Sequence, residues 1–207
     1  MSVLSKLASM QDRRDEEPNK ELARELVRTK NTEGIQEIAE NLWSKDKKIQ
    51  SDCDGVMEEI GRNDPELIEE YVFDFLKLLS DKRNRRVWQS MICLSLIAEQ
   101  KAQEIFENRE YIIEAVEKGS VITQDNGIRT LAKVASVEDE YNQAIFPYLI
   151  EKLKTCRSKS VAQYAESIFC AVKLENQEEY IGVLNKRLGV LSSSQQRRVK
   201  KILRQLE

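Results

Sequence analysis

A 37-residue echo constrains this chain more than any motif in it. The stretch Tyr71–Ala98 (YVFDFLKLLSDKRNRRVWQSMICLSLIA) reads as two amphipathic helices joined by a short basic turn. Its first half carries apolar residues at Val72, Phe75, Leu76 and Leu79. A step of 37 back lands on Ile35, Ile38, Ala39 and Leu42; steps forward land on Arg109, Ile112, Ile113 and Val116, then Phe146, Leu149, Ile150 and Leu153. The second half keeps the same beat. Met91, Leu94, Ile97 and Ala98 correspond to Ile128, Leu131, Val134 and Ala135, then to Ala165, Ile168, Ala171 and Val172. A fixed period with a retained polarity pattern is the mark of stacked helical hairpins, each burying its apolar face on its neighbours. The expected fold is therefore all-α: a right-handed α-α superhelix, or solenoid, of about five hairpins at 33–62, 64–99, 110–136, 139–173 and 178–206.

Composition agrees with that architecture. Seven glycines and three prolines in 207 residues leave little material for a turn-rich β fold. The apolar share of 41% and charged share of 33% suit a thin, distributed core. We expect a single repeat domain over 19–207, preceded by an arm at 1–18 that is either a short docked helix or frayed. Lys20–Lys30 is expected to form a helix capping the first hairpin. Asp64-Pro65 has the form of a helix start, a carboxylate followed by proline at the first helical position. Gly119 is placed as a left-handed helix stop, and Pro147 as a kink or the true start of its helix. The fifth hairpin fits only after a one-residue slip at Leu184, Leu188 and Leu191, as expected of a C-terminal cap.

The unit ends Ile97-Ala98 and Val134-Ala135, with the segments NRRVWQSMICLSLIAE (84–99) and GIRTLAKVAS (127–136), resemble second helices of the HEAT and armadillo-like repeat superfamily. The resemblance covers roughly 33–206. It implies a binding scaffold, since that is what most members of the superfamily are. It also brings in one enzymatic branch, the HEAT-like DNA glycosylases, which use Trp, Asp and Arg on a basic concave face. Trp88, Asp125 and Arg129 sit on consecutive second helices here. Asp52, Glu59 and Glu166 stand where that branch carries its basic run, so the glycosylase reading ranks below the others.

Little in the sequence asks for catalysis. There is no histidine, which removes the commonest general base near neutral pH and any imidazole-ligated zinc. No glycine-rich phosphate loop is present. Acidic pairs such as Glu58-Glu59 are adjacent, so they diverge on a helix. The chain is read as non-enzymatic, with no cofactor, no metal and no small-molecule substrate. Cys53, Cys93, Cys156 and Cys170 have no C-x-x-C spacing and are read as free, buried thiols of a reducing compartment. No apolar run approaches the roughly 18 residues of a spanning helix, and no leader core is present, so we expect a cytoplasmic protein without a membrane partner.

Two features point to partners. Trp88, Ile92 and Leu96 are spaced four apart and share a helix face. The equivalent positions one unit back are Ser51, Gly55 and Glu59, and one unit on are Asp125, Arg129 and Lys133. An apolar stripe in an otherwise polar concave surface is either covered by the N-terminal arm or open to a partner. Its predicted role is to capture a protein or peptide segment, with Asp125 and Arg129 on its flank. Trp43 is a lesser candidate. The second feature is charge sorted by edge: turns inside hairpins are basic and connections between hairpins are acidic. Helix dipoles favour half of this pattern, but Arg85, Arg86 and Lys159 lie at second-helix N-termini, where positive charge is unfavourable. An anionic partner along Lys47, Lys48, Arg85, Arg86 and Lys159 is the alternative reading, with nucleic acid as that partner.

Overall fold

The computed structural model describes residues 2–206 and contains twelve α-helices, with no strand among those residues. The helices form two layers. The second-helix layer comprises α1 (Glu17–Thr29), α3 (Lys47–Asn63), α5 (Asn84–Leu96), α8 (Val121–Val137), α10 (Ser158–Ile168) and α12 (Ser193–Leu203). The first-helix layer holds α2 (Thr32–Glu40), α4 (Val72–Leu78), α6 (Ala102–Glu107), α7 (Arg109–Lys118), α9 (Asp139–Thr155) and α11 (Gln177–Arg187). Helices α3, α5, α8 and α10 begin at 47, 84, 121 and 158, in step with the sequence echo.

The second helices pack directly on one another from α1 to α12, whereas first helices meet their counterparts far less. A stack that is tight on one side and splayed on the other bends toward the tight side. The second-helix layer therefore lies on the inside of the curve. One hydrophobic cluster runs between the layers from Val3 to Ile202. The columns Met91, Ile128 and Ala165 and Ile97, Val134 and Ala171 are wholly buried in it, which is what the period of 3.6 on each helix demands.

Several local expectations need correction. Asp64-Pro65 does not start an α-helix. Pro65–Leu67 and Glu69–Tyr71 are 3-10 turns, Asp64 makes no side-chain cap, and α4 begins only at Val72. The Asp64 carboxylate instead accepts from Lys30. Helix α9 runs from Asp139 to Thr155 straight through Pro147, which is exposed; it is not the helix start. Gly119 has φ −83°, so it is not a left-handed stop. Its glycine requirement is spatial: a Cβ there would lie 2.4 Å from the Ala115 carbonyl oxygen and 2.7 Å from Thr123. Lys30 takes the left-handed position instead, with φ 51°, ending α1.

The arm is docked. It forms two 3-10 turns, Leu4–Lys6 and Ala8–Gln11, and buries Val3, Leu7 and Ala8. Asn19 and Asp52 hold it by its backbone: Ala8 N–H donates to Asn19 Oδ1 at 2.9 Å and Ser9 N–H to Asp52 Oδ2 at 2.8 Å. The other end is closed by α12, whose start is a reciprocal cap between Ser192 and Gln195. Among the described residues no helix is long and apolar enough to cross a membrane.

Candidate functional site

The stripe on α5 is set by helix geometry, since a spacing of four residues returns nearly to the same face. Trp88 and Leu96 are half-buried and Ile92 is 7% exposed. None of the three belongs to the hydrophobic cluster between the layers. Val87, Met91, Cys93 and Leu94 on the same helix do. Trp88 and Leu96 thus carry the exposed apolar surface of this seam, with Ile92 buried between them. Leu96 leans on α3, where Gly61 leaves room for it: a Cβ on Gly61 would lie 3.2 Å from Leu96 Cδ1.

Val3 and Leu7 of the arm go into the core and Met10 is exposed, while Glu16 at the arm's end flanks Trp88 and pairs with Arg85. Beside Trp88 lies a shallow hollow of about 160 Å³, flanked by Ser51 and Gly55 of α3, by Glu16 and by Arg85. Small residues on α3 are what open it. On the other side of the seam stands Arg129, exposed, with only a 3.4 Å contact to Asn126 Oδ1. Asp125 is half-buried, its Oδ1 has no hydrogen-bond partner, and burial raises its pKa while Arg157 and Arg129 oppose that rise. The structure therefore brings Trp88, Ile92 and Leu96 onto one face of α5, with Asp125 and Arg129 on the adjoining helix α8.

The basic edge is less uniform than its sequence. Lys47, Lys48 and Lys159 are exposed and form no ion pair among the described residues. Arg85 is exposed but bonded to Glu16. Arg86 is not on the edge at all. It is 3% exposed, donates to Asp54 through Nε at 2.6 Å and Nη2 at 3.0 Å, and also reaches the Leu42 carbonyl oxygen and Asp81. The two arginines that helix electrostatics disfavours at the start of α5 are thus answered from within the chain, by Asp54 and Asp81 for one and Glu16 for the other. No external anion is needed to explain them.

Sequence reasoning missed this network, although a signal existed. Asp54 stands in the column Met91, Ile128 and Ala165, and Arg86 in the column Thr123 and Ser160, all buried. A carboxylate and a guanidinium in buried columns require each other, because either alone would be a buried unpaired charge. Burial raises the Asp54 pKa and the Arg86 hydrogen bonds pull it back. The Arg83 hydrogen bond holds the Asp81 carboxyl down at about 2, with Arg86 adding to it.

Trp43 is 40% exposed rather than a closed core residue. Its indole N–H donates to Asp74 Oδ1 at 2.8 Å and Lys77 Nζ sits 4.4 Å over its ring. Of the four thiols only Cys53 and Cys93 are buried; Cys156 is half-buried and Cys170 exposed. Among the described residues no group of three or more acidic or cysteine side chains is arranged to hold a metal.

No protein-family model matches the sequence, and neither does any curated protein. Solved structures do. The chain is similar to a designed armadillo repeat protein in complex with the peptide (KR)4, at 13% identity and TM-score 0.71, covering 91% of this chain and 87% of that one. It is also similar to computationally designed armadillo repeat proteins for modular peptide recognition, at 14% identity and TM-score 0.68, over 97% of both chains. An engineered protein aligns over 100% of this chain and 97% of its own, at 20% identity and TM-score 0.69. At these identities the likeness is one of fold: an armadillo/HEAT-like helical repeat array.

Proposed function

We propose that this armadillo/HEAT-like array is a non-enzymatic scaffold that holds a segment of a partner protein against its inner surface. The observation that carries the reading is the Trp88–Ile92–Leu96 seam, apolar yet separate from the core, with an open hollow beside the indole. A partner side chain seated in that hollow would remove indole surface from water, beside a wall that is otherwise polar, with Glu16, Lys20, Glu58 and Glu59. Trp, which stands at one end of this seam, is the residue type that most often dominates binding energy. Arg129, with no ion pair among the described residues, stands ready for a carboxylate or backbone carbonyl of the same segment. The scaffold reading also draws support from structural neighbours described as serving modular peptide recognition. A phosphate-binding edge is the weaker reading, because Arg86 is buried and Arg85 is already paired.

The test is a selection of random displayed peptides on the whole chain, followed by affinity measurement on variants. Peptides of the inner surface should lose roughly 30-fold or more on Trp88→Ala, on the order of 2 kcal/mol, and change little between low and physiological salt. The reading fails if every selected peptide ignores Trp88→Ala. It also fails if the protein instead binds labelled DNA or RNA with a steep salt slope that is lost on Arg85→Glu.

A further inference from the structure

The outer, first-helix layer contains a larger opening than the hollow beside Trp88. A cleft of about 740 Å³ lies between α4 and α7. Phe73 and Tyr111, each 60% exposed, stand on its walls, and Leu76, Leu79, Val87 and Ala115 supply apolar lining.

The repeat register shows what this gap lacks and its neighbours have. Between the first unit and α4, Trp43 donates to Asp74 at 2.8 Å. Between α7 and α9, Tyr148 donates to Glu117 at 2.9 Å and Lys152 to the same carboxylate at 2.6 Å. Between α9 and α11, Lys154 bonds Glu179 at 2.9 Å. The pairs 43/74 and 117/148 are one register position, displaced by two repeats. The intervening member of that series is 80/111, which here is Ser80 and Tyr111. Serine is too short to do what Glu117 does, and Ala115 stands where Lys152 stands one unit on. No hydrogen bond or ion pair between side chains crosses from α4 to α7 among the described residues. Tyr111, the register mate of a half-buried tyrosine, is left in solvent.

Charge around the cleft is also unbalanced. The Asp81 carboxylate is taken by Arg83 at 3.0 Å and Arg86 at 3.1 Å, and Glu114 by Lys118 at 2.5 Å. Lys82 lines the cleft without an ion pair among the described residues, while the Lys77 ammonium lies over the Trp43 ring. The acids of the cleft are thus already neutralised, while the Lys82 ammonium is not. What fits is apolar at its centre and acidic at its rim.

We infer that the α4–α7 cleft is a second docking site, on the outer layer, for an amphipathic protein segment with apolar side chains at helical spacing and a flanking carboxylate. Two helices form its walls and apolar side chains its lining, the arrangement in which a third helix lays its apolar face. The segment's apolar residues would sit between Phe73 and Tyr111, and a carboxylate at its rim would meet Lys82. This site is separate from the inner seam and does not rest on it.

The deciding experiment uses random 16-residue peptides displayed on phage and selected on the full chain. Three variants then sort the binders by anisotropy. Ser80→Glu restores at 80/111 the carboxylate–tyrosine pair seen at 117/148, bridging the cleft; Tyr111→Asp removes a wall; Trp88→Ala disables only the inner seam. A class of acidic, apolar-patterned peptides should bind with tenfold or greater loss on Ser80→Glu and on Tyr111→Asp, and within twofold of wild type on Trp88→Ala. Ser80 is exposed, so a folded Ser80→Glu chain is expected, and circular dichroism checks it. The inference is overturned if no acidic class is enriched, if the binders are basic, or if binding survives Ser80→Glu. Loss on Trp88→Ala alone would assign the peptides to the inner surface and overturn the outer site while leaving the inner one standing.

Discussion

The two layers of this array are held by different chemistry. Second helices lie directly on each other, with small residues and a buried ion pair at some contacts, as where Gly61 faces Leu96 and Arg86 bonds Asp54. First helices are farther apart and are joined by single polar side chains reaching across: Trp43 to Asp74, Tyr148 to Glu117, Lys154 to Glu179. The inner layer therefore carries the stability, through desolvated contacts that water cannot replace. The outer layer sets spacing, through exposed links that water can replace at little cost. A solenoid built this way can lose one outer link, as at Ser80 and Tyr111, and gain an opening without unfolding. It cannot lose an inner one so cheaply.

The most severe way to break that contrast is Arg86→Ala. It strands Asp54 as a buried carboxylate and leaves the Leu42 carbonyl oxygen unpaired, so a loss of about 3–5 kcal/mol is expected in urea unfolding. Arg85→Ala, one residue away but on the surface, should fall within about 1 kcal/mol of wild type. Equal effects would refute the assignment of stability to the buried Arg86–Asp54 pair rather than to exposed ion pairs. Next in size is Gly127→Ala. A Cβ there would meet Val116 Cγ2 at 2.2 Å, inside the hairpin, and overpacking of this kind costs about 1–3 kcal/mol. Gly182, in α11, has nothing within 4 Å of the same atom. Gly182→Ala should be neutral or stabilise by up to about 1 kcal/mol through helix propensity.

Much of this was legible in the sequence, and what was not has a common cause. The echo from Met91 to Ile128 to Ala165 gave the second helices because each position repeats the same burial. It failed at Asp64-Pro65, where the local start signal was real but the segment 65–71 tightened into 3-10 turns. It failed at Arg86 because charge was read by edge rather than by column. A basic run in a turn looks solvated until its columns are compared with those of other units. The stripe Trp88, Ile92 and Leu96 was visible as a departure from the repeat. The outer cleft was not, because it arises from a side chain too short at Ser80 and from the exposure of Tyr111, and neither breaks the polarity pattern.

A smaller effect separates the layers by pH. Asp81 links the turn to the inner network through Arg83 and Arg86, which hold its carboxyl at about 2. A folded-state pKa depressed below the usual value near 4 means the stabilisation is full above that pH and is lost as pH falls toward 2. Acid unfolding should therefore steepen between about pH 4 and pH 2, by roughly 1–2 kcal/mol after screening by solvent. Asp54, whose pKa burial raises, acts in the opposite sense, its contribution improving as pH falls. The clean measure is the difference between wild type and Asp81→Asn across that window. An Asp81→Asn chain with the same acid slope as wild type would separate Asp81 from the network.

The smallest expected effect sharpens the contrast most. Glu117→Gln keeps a hydrogen-bond acceptor for Tyr148 but removes the charge facing Lys152, and Lys118 already bonds elsewhere, to Glu114. Exposed links of this type are worth about 0.2–1 kcal/mol, so stability should barely move. Glu117→Ser does more to the shape. It recreates at 117/148 the residue pair found at 80/111, and Tyr148 should lose its partner and become as open to solvent as Tyr111. Hydrogen exchange along α7 and α9 would rise while that of α8 and α10 stays near wild type. If exchange rose equally in both layers, the outer links would be part of the cooperative core, and the opening between α4 and α7 would need another cause than a missing bridge.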